Sequence, residues 1–232
     1  MLPTMAEPYD SDLSRAGRSA HREADRRKER LQQERASRSR LANALLGPSD
    51  VQKRLAAEEK HWATGARGEE ILAEVLATRC PGASLLHDRR FPGSRANIDH
   101  IAVTGTGVYV IDAKRYRGEI EVRSALFGKP KLLIAGRDRT KLVTGLEKQV
   151  SVVTEALAEV APDVPVRGCL CFVAPEGLLA DVGLPIMRTL KINGFPLYYV
   201  RRLAKQLNRP GAVTRDEAAE ICSALAQRLS QA

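Results

Sequence analysis

The stretch from Asn97 to Gly118, NIDHIAVTGTGVYVIDAKRYRG, restricts the fold of this chain more than any other. Two alternating apolar runs flank Thr-Gly-Thr-Gly, a pattern that predicts a β-hairpin with Gly105-Thr106 at its tip; glycine in the first central position suits a type II′ turn. In that register Asp99 faces Asp112 and Asn97 faces Lys114. The period of two puts Asp99, Asp112 and Lys114 on one face, beside Ile101 and Val110. Like charges opposed across a ladder destabilise a sheet, and burial under a helix worsens the repulsion by lowering the dielectric. The face therefore needs cations. Lys114 supplies one charge, and a hard divalent ion with oxygen ligands would supply the rest; Mg²⁺ fits, since it accepts one or two carboxylates and keeps waters and phosphate oxygens. A solvated Asp–Lys surface pair is the bland alternative, and the apolar setting of Ile-Asp-His-Ile and Val-Ile-Asp-Ala-Lys argues against it.

Around the hairpin the pattern is that of an ordered α/β domain. A helix is expected from Asp50 to Trp62 with Ser49 as N-cap. The run GARGEEILAEVLATRC then carries Ile71, Leu72, Val75 and Leu76 on one stripe until Pro81-Gly82 ends it. Strands are expected at 84–88, 97–103, 107–115, 118–123, 131–135, 166–174 and 196–200, and a long helix from about Arg139 to Val160. The chain closes with two helices, the second opening on a Thr214–Glu217 capping box. Helices covering a mixed sheet make this an α/β (α+β) arrangement.

Residues 1–46 differ in kind. From Arg15 to Arg40 there are ten Arg or Lys and four acids, with Leu31 the only large aliphatic, and no heptad seam. The segment reads as a disordered or helical basic extension, or as an arm that grips phosphates. The domain proper is 47–232, with a motif core at 65–160 and C-terminal strands and helices at 166–230. The net charge of +9 favours a polyanionic partner such as nucleic acid. No apolar run reaches the roughly 20 residues of a membrane span. The first ten residues hold two acids and no apolar h-region, so no signal peptide is expected. Cys80, Cys169, Cys171 and Cys222 form no CxxC pair and read as small hydrophobes in a reducing cytoplasm.

Two further polar positions stand beside apolar stripes. Glu69 flanks the Ile71–Leu76 stripe while Glu70 points away, so Glu69 is either a third carboxylate for the hairpin or a first-turn glutamate answering the helix dipole. Gln149 borders the stripe Leu142, Leu146, Val150, Val153, Leu157, where it would hold a water or phosphate or merely mark a boundary. The lone Trp62 reads as packing.

GARGEE, NIDHIAVTGTGVYVIDAKRYRGEI and LEKQVSVVTEAL together resemble the nuclease-related domain (NERD), a branch of the PD-(D/E)xK nucleases with a restriction-endonuclease-like core. The resemblance matches Glu69 to the glutamate of G-x-x-G-E, Asp99 to the aspartate of I-D-H, Asp112 and Lys114 to the (E/D)-x-K pair, and Gln149 to a glutamine of the following helix. Asp112 stands where the family more often has Glu. The resemblance implies a Mg²⁺- (or Mn²⁺-) dependent phosphodiesterase acting on DNA. Asp99 and Asp112, with the Ala113 carbonyl and Glu69, would hold metal, and Lys114 would position water. Arg89, Arg90, Arg95, Arg115, Arg117 and Arg123 are the basic side chains expected to track the phosphate backbone. The rival readings are a non-catalytic nucleic-acid-binding module on the same fold and a protein-interaction domain.

Overall fold

The computed structural model describes residues 15–38, 46–94, 96–124, 128–174, 183–185 and 188–232. In chain order the elements are α1 (Arg18–Ser37), α2 (Asp50–Arg79), β1 (Ser84–Arg90), β2 (Asn97–Thr104), β3 (Gly107–Lys114), β4 (Ile120–Arg123), β5 (Lys131–Ile134), β6 (Arg137–Asp138), α3 (Lys141–Leu157), β7 (Val166–Phe172), β8 (Lys191–Ile192), β9 (Phe195–Tyr199), α4 (Val200–Leu207) and α5 (Arg215–Arg228). The fold is α+β, as the sequence implies. Six strands form a mixed sheet in the order β1-β2-β3-β7-β9-β8, and β4-β5-β6 make a small second sheet. The hairpin β2–β3 is antiparallel, while β3–β7 and β7–β9 run parallel.

Alternation along the strands builds a core on each side of the large sheet. Val108 and Val110 of β3 join Leu170 and Phe172 of β7 against α3 and α5, through Leu146, Val153, Ile221 and Leu225. Tyr109, Ile111 and Ala113 join Cys169 and Cys171 against α2 and α4, through Leu72, Leu76, Leu203 and Leu207. A fully buried leucine of this kind stabilises the fold by about 1.5–3 kcal/mol. Cys80, Cys169 and Cys171 are buried and unbridged, and burial pushes their thiols up.

Where the sequence suggests a helix ending near Trp62 and a second stripe after it, the structure has one 30-residue helix. Ser49 caps it through a capping box with Gln52. Gly65 and Gly68 lie inside it, each costing helix propensity of about 1 kcal/mol. Gly68 supplies closeness in exchange, since a Cβ there would come within 3.2 Å of the Arg115 Cβ.

The basic segment before α2 holds α1, which lies antiparallel on α2 rather than alone in solvent. Its buried positions Ala20, Ala24 and Leu31, with half-buried Arg27 between, follow a four-three-four spacing. This is a seam after all, built of alanine and therefore invisible to a search for large apolar residues. Close approach is enforced at Gly17, whose φ is 75° and where a Cβ would meet the Ala66 carbonyl at 2.8 Å. His21 Nε2 meets Glu70 Oε1 at 2.6 Å, and Arg38 Nη1 donates to the Gly47 carbonyl at 2.9 Å.

Candidate active site

The hairpin register is as the alternation requires: His100 pairs with Ile111, Ile101 with Val110, and Thr104 with Gly107. The turn differs, because the positive φ falls on Gly107 (121°) and not on Gly105, which packs instead against the Gly211 backbone. The more consequential difference is at the far end. Pairing stops at His100–Ile111, so Asp99 and Asp112 are not ladder partners, and Asn97 turns away from Lys114. The amide of Ala113 donates to Asp99 Oδ2 at 2.9 Å. A side chain has replaced a backbone carbonyl, and the two strands part there.

Into that opening projects the Lys114 ammonium. It donates to Asp112 Oδ1 at 2.6 Å and to the Ala113 carbonyl at 2.9 Å, and lies 3.7 Å from Asp99 Oδ2. Both aspartates are buried, at 7% and 5% exposed. Glu69 comes from mid-helix in α2, not from a first turn, so the helix-dipole reading of this residue does not hold. It is buried, and its Oε2 has no hydrogen-bond partner. Glu70, its neighbour, faces outward to His21 and Arg67. One glutamate serves the interior and the next serves the α1 interface.

The electrostatics follow from burial. Desolvation, reinforced by the charge of Asp99, holds the Glu69 carboxyl well above the usual range. Asp99 is pushed up to about 7, first by burial and then by Asp112, against the opposing pull of Lys114. Burial alone would lower Lys114, but Asp112 and Asp99 outweigh it and hold the ammonium charged.

Asp88 completes the acidic group and leaves no periodic trace in the sequence. By the β1–β2 register it stands opposite Asp99, yet the ladder skips from His87–His100 to Arg89–Ile98. Asp88 has φ 51°, a left-handed conformation that Asp tolerates better than most residues. Its carboxylate accepts the Ser19 amide at 2.7 Å and the Asn97 side-chain amide at 2.8 Å, and Asn97 also donates to Ser19 Oγ at 2.9 Å. It thereby caps α1, whose own N-cap Gly17 has no side chain to do so. Behind the site His87 and His100 share a hydrogen bond between their Nδ1 atoms at 2.7 Å, and burial holds His100 well below its ordinary value.

Gln149 lies on α3, half-buried, its Oε1 enclosed and without a partner. Arg115 is half-buried against Gly68. Arg90 and Arg117 are exposed, and Arg123 is exposed but paired with Glu121 at 3.0 Å. Arg89 is corrected: at 4% exposed, on a strand end bridged to Gln231, it offers no surface to a phosphate. Arg95 lies outside the described residues.

Residues 64–173 match the family model of the nuclease-related domain. This stretch is a nuclease-related domain. The match runs from the middle of α2 through β7 and encloses Glu69, Asp99, Asp112, Lys114 and Gln149. No curated protein and no solved structure matches the chain.

The nuclease-related domain offers a divalent ion two carboxylates and a backbone carbonyl already turned toward one cation, plus an enclosed glutamate oxygen without a partner. Among the described residues no three His, Cys, Asp or Glu side chains form a ready-made metal cluster. The donor set suits a hard ion that retains much of its water, as Mg²⁺ does.

Proposed function

We propose that this protein hydrolyses phosphodiester bonds in DNA with the help of Mg²⁺ or Mn²⁺. The observation that carries the reading is the convergence of Asp99, Asp112 and the Ala113 carbonyl on a single cation, the Lys114 ammonium. Those three groups, with Glu69, would hold the metal. A bound divalent ion would supply Lewis-acid polarisation of the phosphoryl oxygen and make water a better nucleophile.

The chain's own residues do the rest. Lys114 keeps its proton because two carboxylates face it, so it serves as a hydrogen-bond donor to water or to the negative charge that grows on the phosphoryl oxygens. Glu69, whose enclosed Oε2 has no partner, would assist through the metal or through an ordered water. Gln149 has an enclosed acceptor with which to orient that water or the substrate. The Asp99–Ala113 bond holds the strands apart, so the carboxylates reach the opening without backbone rearrangement.

The test is incubation of the purified chain with supercoiled plasmid and Mg²⁺ or Mn²⁺, beside an Asp112→Ala variant. Metal-dependent nicking that the variant loses is the expected result. Salt-sensitive binding without nicking in either protein would replace this reading with a non-catalytic module, whose Lys114 permanently fills the cation position.

A further inference from the structure

A second basic feature draws most of its lining from outside the matched stretch. Between α1, the middle of α2 and the start of β2 is an open cleft of about 720 Å³. Arg22, Arg26 and Arg30 line it from α1, Arg90 from the end of β1, and Trp62 from α2. The three α1 arginines recur every fourth residue, so their stems are set at intervals of about 6 Å along one helix face. Among the described residues Arg22, Arg30 and Arg90 form no ion pair, whereas Arg26 and Arg27 engage Glu23. Trp62, expected from sequence to be packing, is 36% exposed, and the Arg27 guanidinium lies 5.8 Å from its ring centroid.

We infer that this cleft binds the single-stranded flank of a nucleic-acid substrate, its phosphates on Arg22, Arg30 and Arg90 and a base stacked on Trp62. This rests on the reading of the neighbouring carboxylate site as a nuclease centre. Phosphate neutralisation by arginine supplies sequence-independent affinity, and an exposed aromatic ring beside a basic track accepts the face of any base. A stacked base must be free of its own neighbours, which selects a single strand over an intact duplex. The geometry also joins the two sites. Asn97 lines the cleft and lies two residues before Asp99 on β2, roughly 7 Å along the strand. Ser19, Asn97 and Asp88 bond the cleft wall to the edge of the acidic group. A strand held on α1 is thus delivered to the carboxylates.

Trp62 is the only tryptophan, so its emission reports this cleft alone. The full chain would be titrated in EDTA with a fluorescein-labelled oligothymidylate of roughly 15 nucleotides, following polarisation and, with unlabelled oligonucleotide, tryptophan emission. Quenching that saturates together with polarisation is expected. An Arg22→Glu/Arg30→Glu variant, checked by circular dichroism, should bind at least about tenfold more weakly, with a salt slope flatter by roughly 0.7 per cation removed. Trp62→Ala should lose affinity without a change in that slope. Wild-type affinity in the charge-reversed variant, unchanged emission on binding, or equal quenching by the matching duplex would each overturn the inference, as would absence of binding. Plasmid nicking with metal, run in parallel, decides the nuclease reading separately: nicking without quenching sinks the cleft alone, and quenching without nicking sinks catalysis alone.

Discussion

Asp99 accepts the main-chain amide of Ala113 at 2.9 Å, where the hairpin's register would have supplied the carbonyl of Ile98. One carboxylate oxygen thus ends the β2–β3 ladder and satisfies the donor left by ending it. The neighbouring residues Asp112 and Lys114 are consequently presented at an opening rather than inside a closed sheet.

The ammonium of Lys114 offsets the repulsion of two buried aspartates, so its removal should be felt most when no other cation is present. Lys114→Met is expected to lower the stability of the metal-free chain by about 1–3 kcal/mol, less than for a fully enclosed pair because the lysine side chain is 21% exposed. Added Mg²⁺ should raise the melting temperature of the variant more than that of wild type, since only the folded state offers the ligands. Equal metal responses in thermal melts would show that Lys114 does not occupy a cation position.

Glu69 is enclosed with one oxygen unpartnered, so an uncharged amide should be accommodated there. Glu69→Gln is expected to shift the melting temperature by less than about 2 °C. In the plasmid assay it should lower metal-dependent nicking by about 10²-fold, the scale of a lost proton-transfer group. Unimpaired nicking would remove Glu69 from the reaction.

The raised value of Asp99, about 7, fixes the sign of a pH effect. Below about pH 4 the carboxyl is protonated in both folded and unfolded chains. Between about 4 and 7 the unfolded chain gives up this proton while the folded chain keeps it, so the folded state binds more protons and stability falls as pH rises. Asp99→Asn retains an oxygen for the Ala113 amide and cannot ionise. It should therefore melt higher than wild type at pH 8 in EDTA, with the difference shrinking toward pH 5. A difference independent of pH would show that Asp99 is not the titrating group.

Gly17 carries the close contact between α1 and α2. Gly17→Ala places a methyl against the Ala66 carbonyl at a positive φ, and is expected to loosen α1 from its seat. Limited trypsin digestion should then cut the arginines of α1 several times faster than in wild type, while α5 resists as before. Unchanged digestion kinetics would mean that the helix pair tolerates the added volume.

Much of this molecule was legible in its amino-acid order. Alternation around a two-residue turn fixed the pairing of Ile101 with Val110, and with it the shared face of Asp99, Asp112 and Lys114. The capping boxes at Ser49 and Thr214 were legible in one case by residue type and in the other by spacing. What escaped had no periodic signature. The end of the ladder depends on a side chain taking a backbone partner, and Asp88 breaks its strand's alternation by a left-handed turn of the chain. The seat of α1 is made by Ala20 and Ala24, too small to register as an apolar stripe. Arg89 is buried on a strand whose backbone bridges Gln231, over a hundred positions distant and unforeseeable from local pattern.

The matched stretch, 64–173, stops one strand short of the middle of the large sheet's far half. Leu197 of β9, Leu203 of α4 and Leu225 of α5, all interior, come afterwards, and the first half of α2 comes before. A gene fragment trimmed to those limits would therefore yield an insoluble product, its two cores stripped along one flank. The length that matches the family and the length that closes both cores are different stretches of this polypeptide.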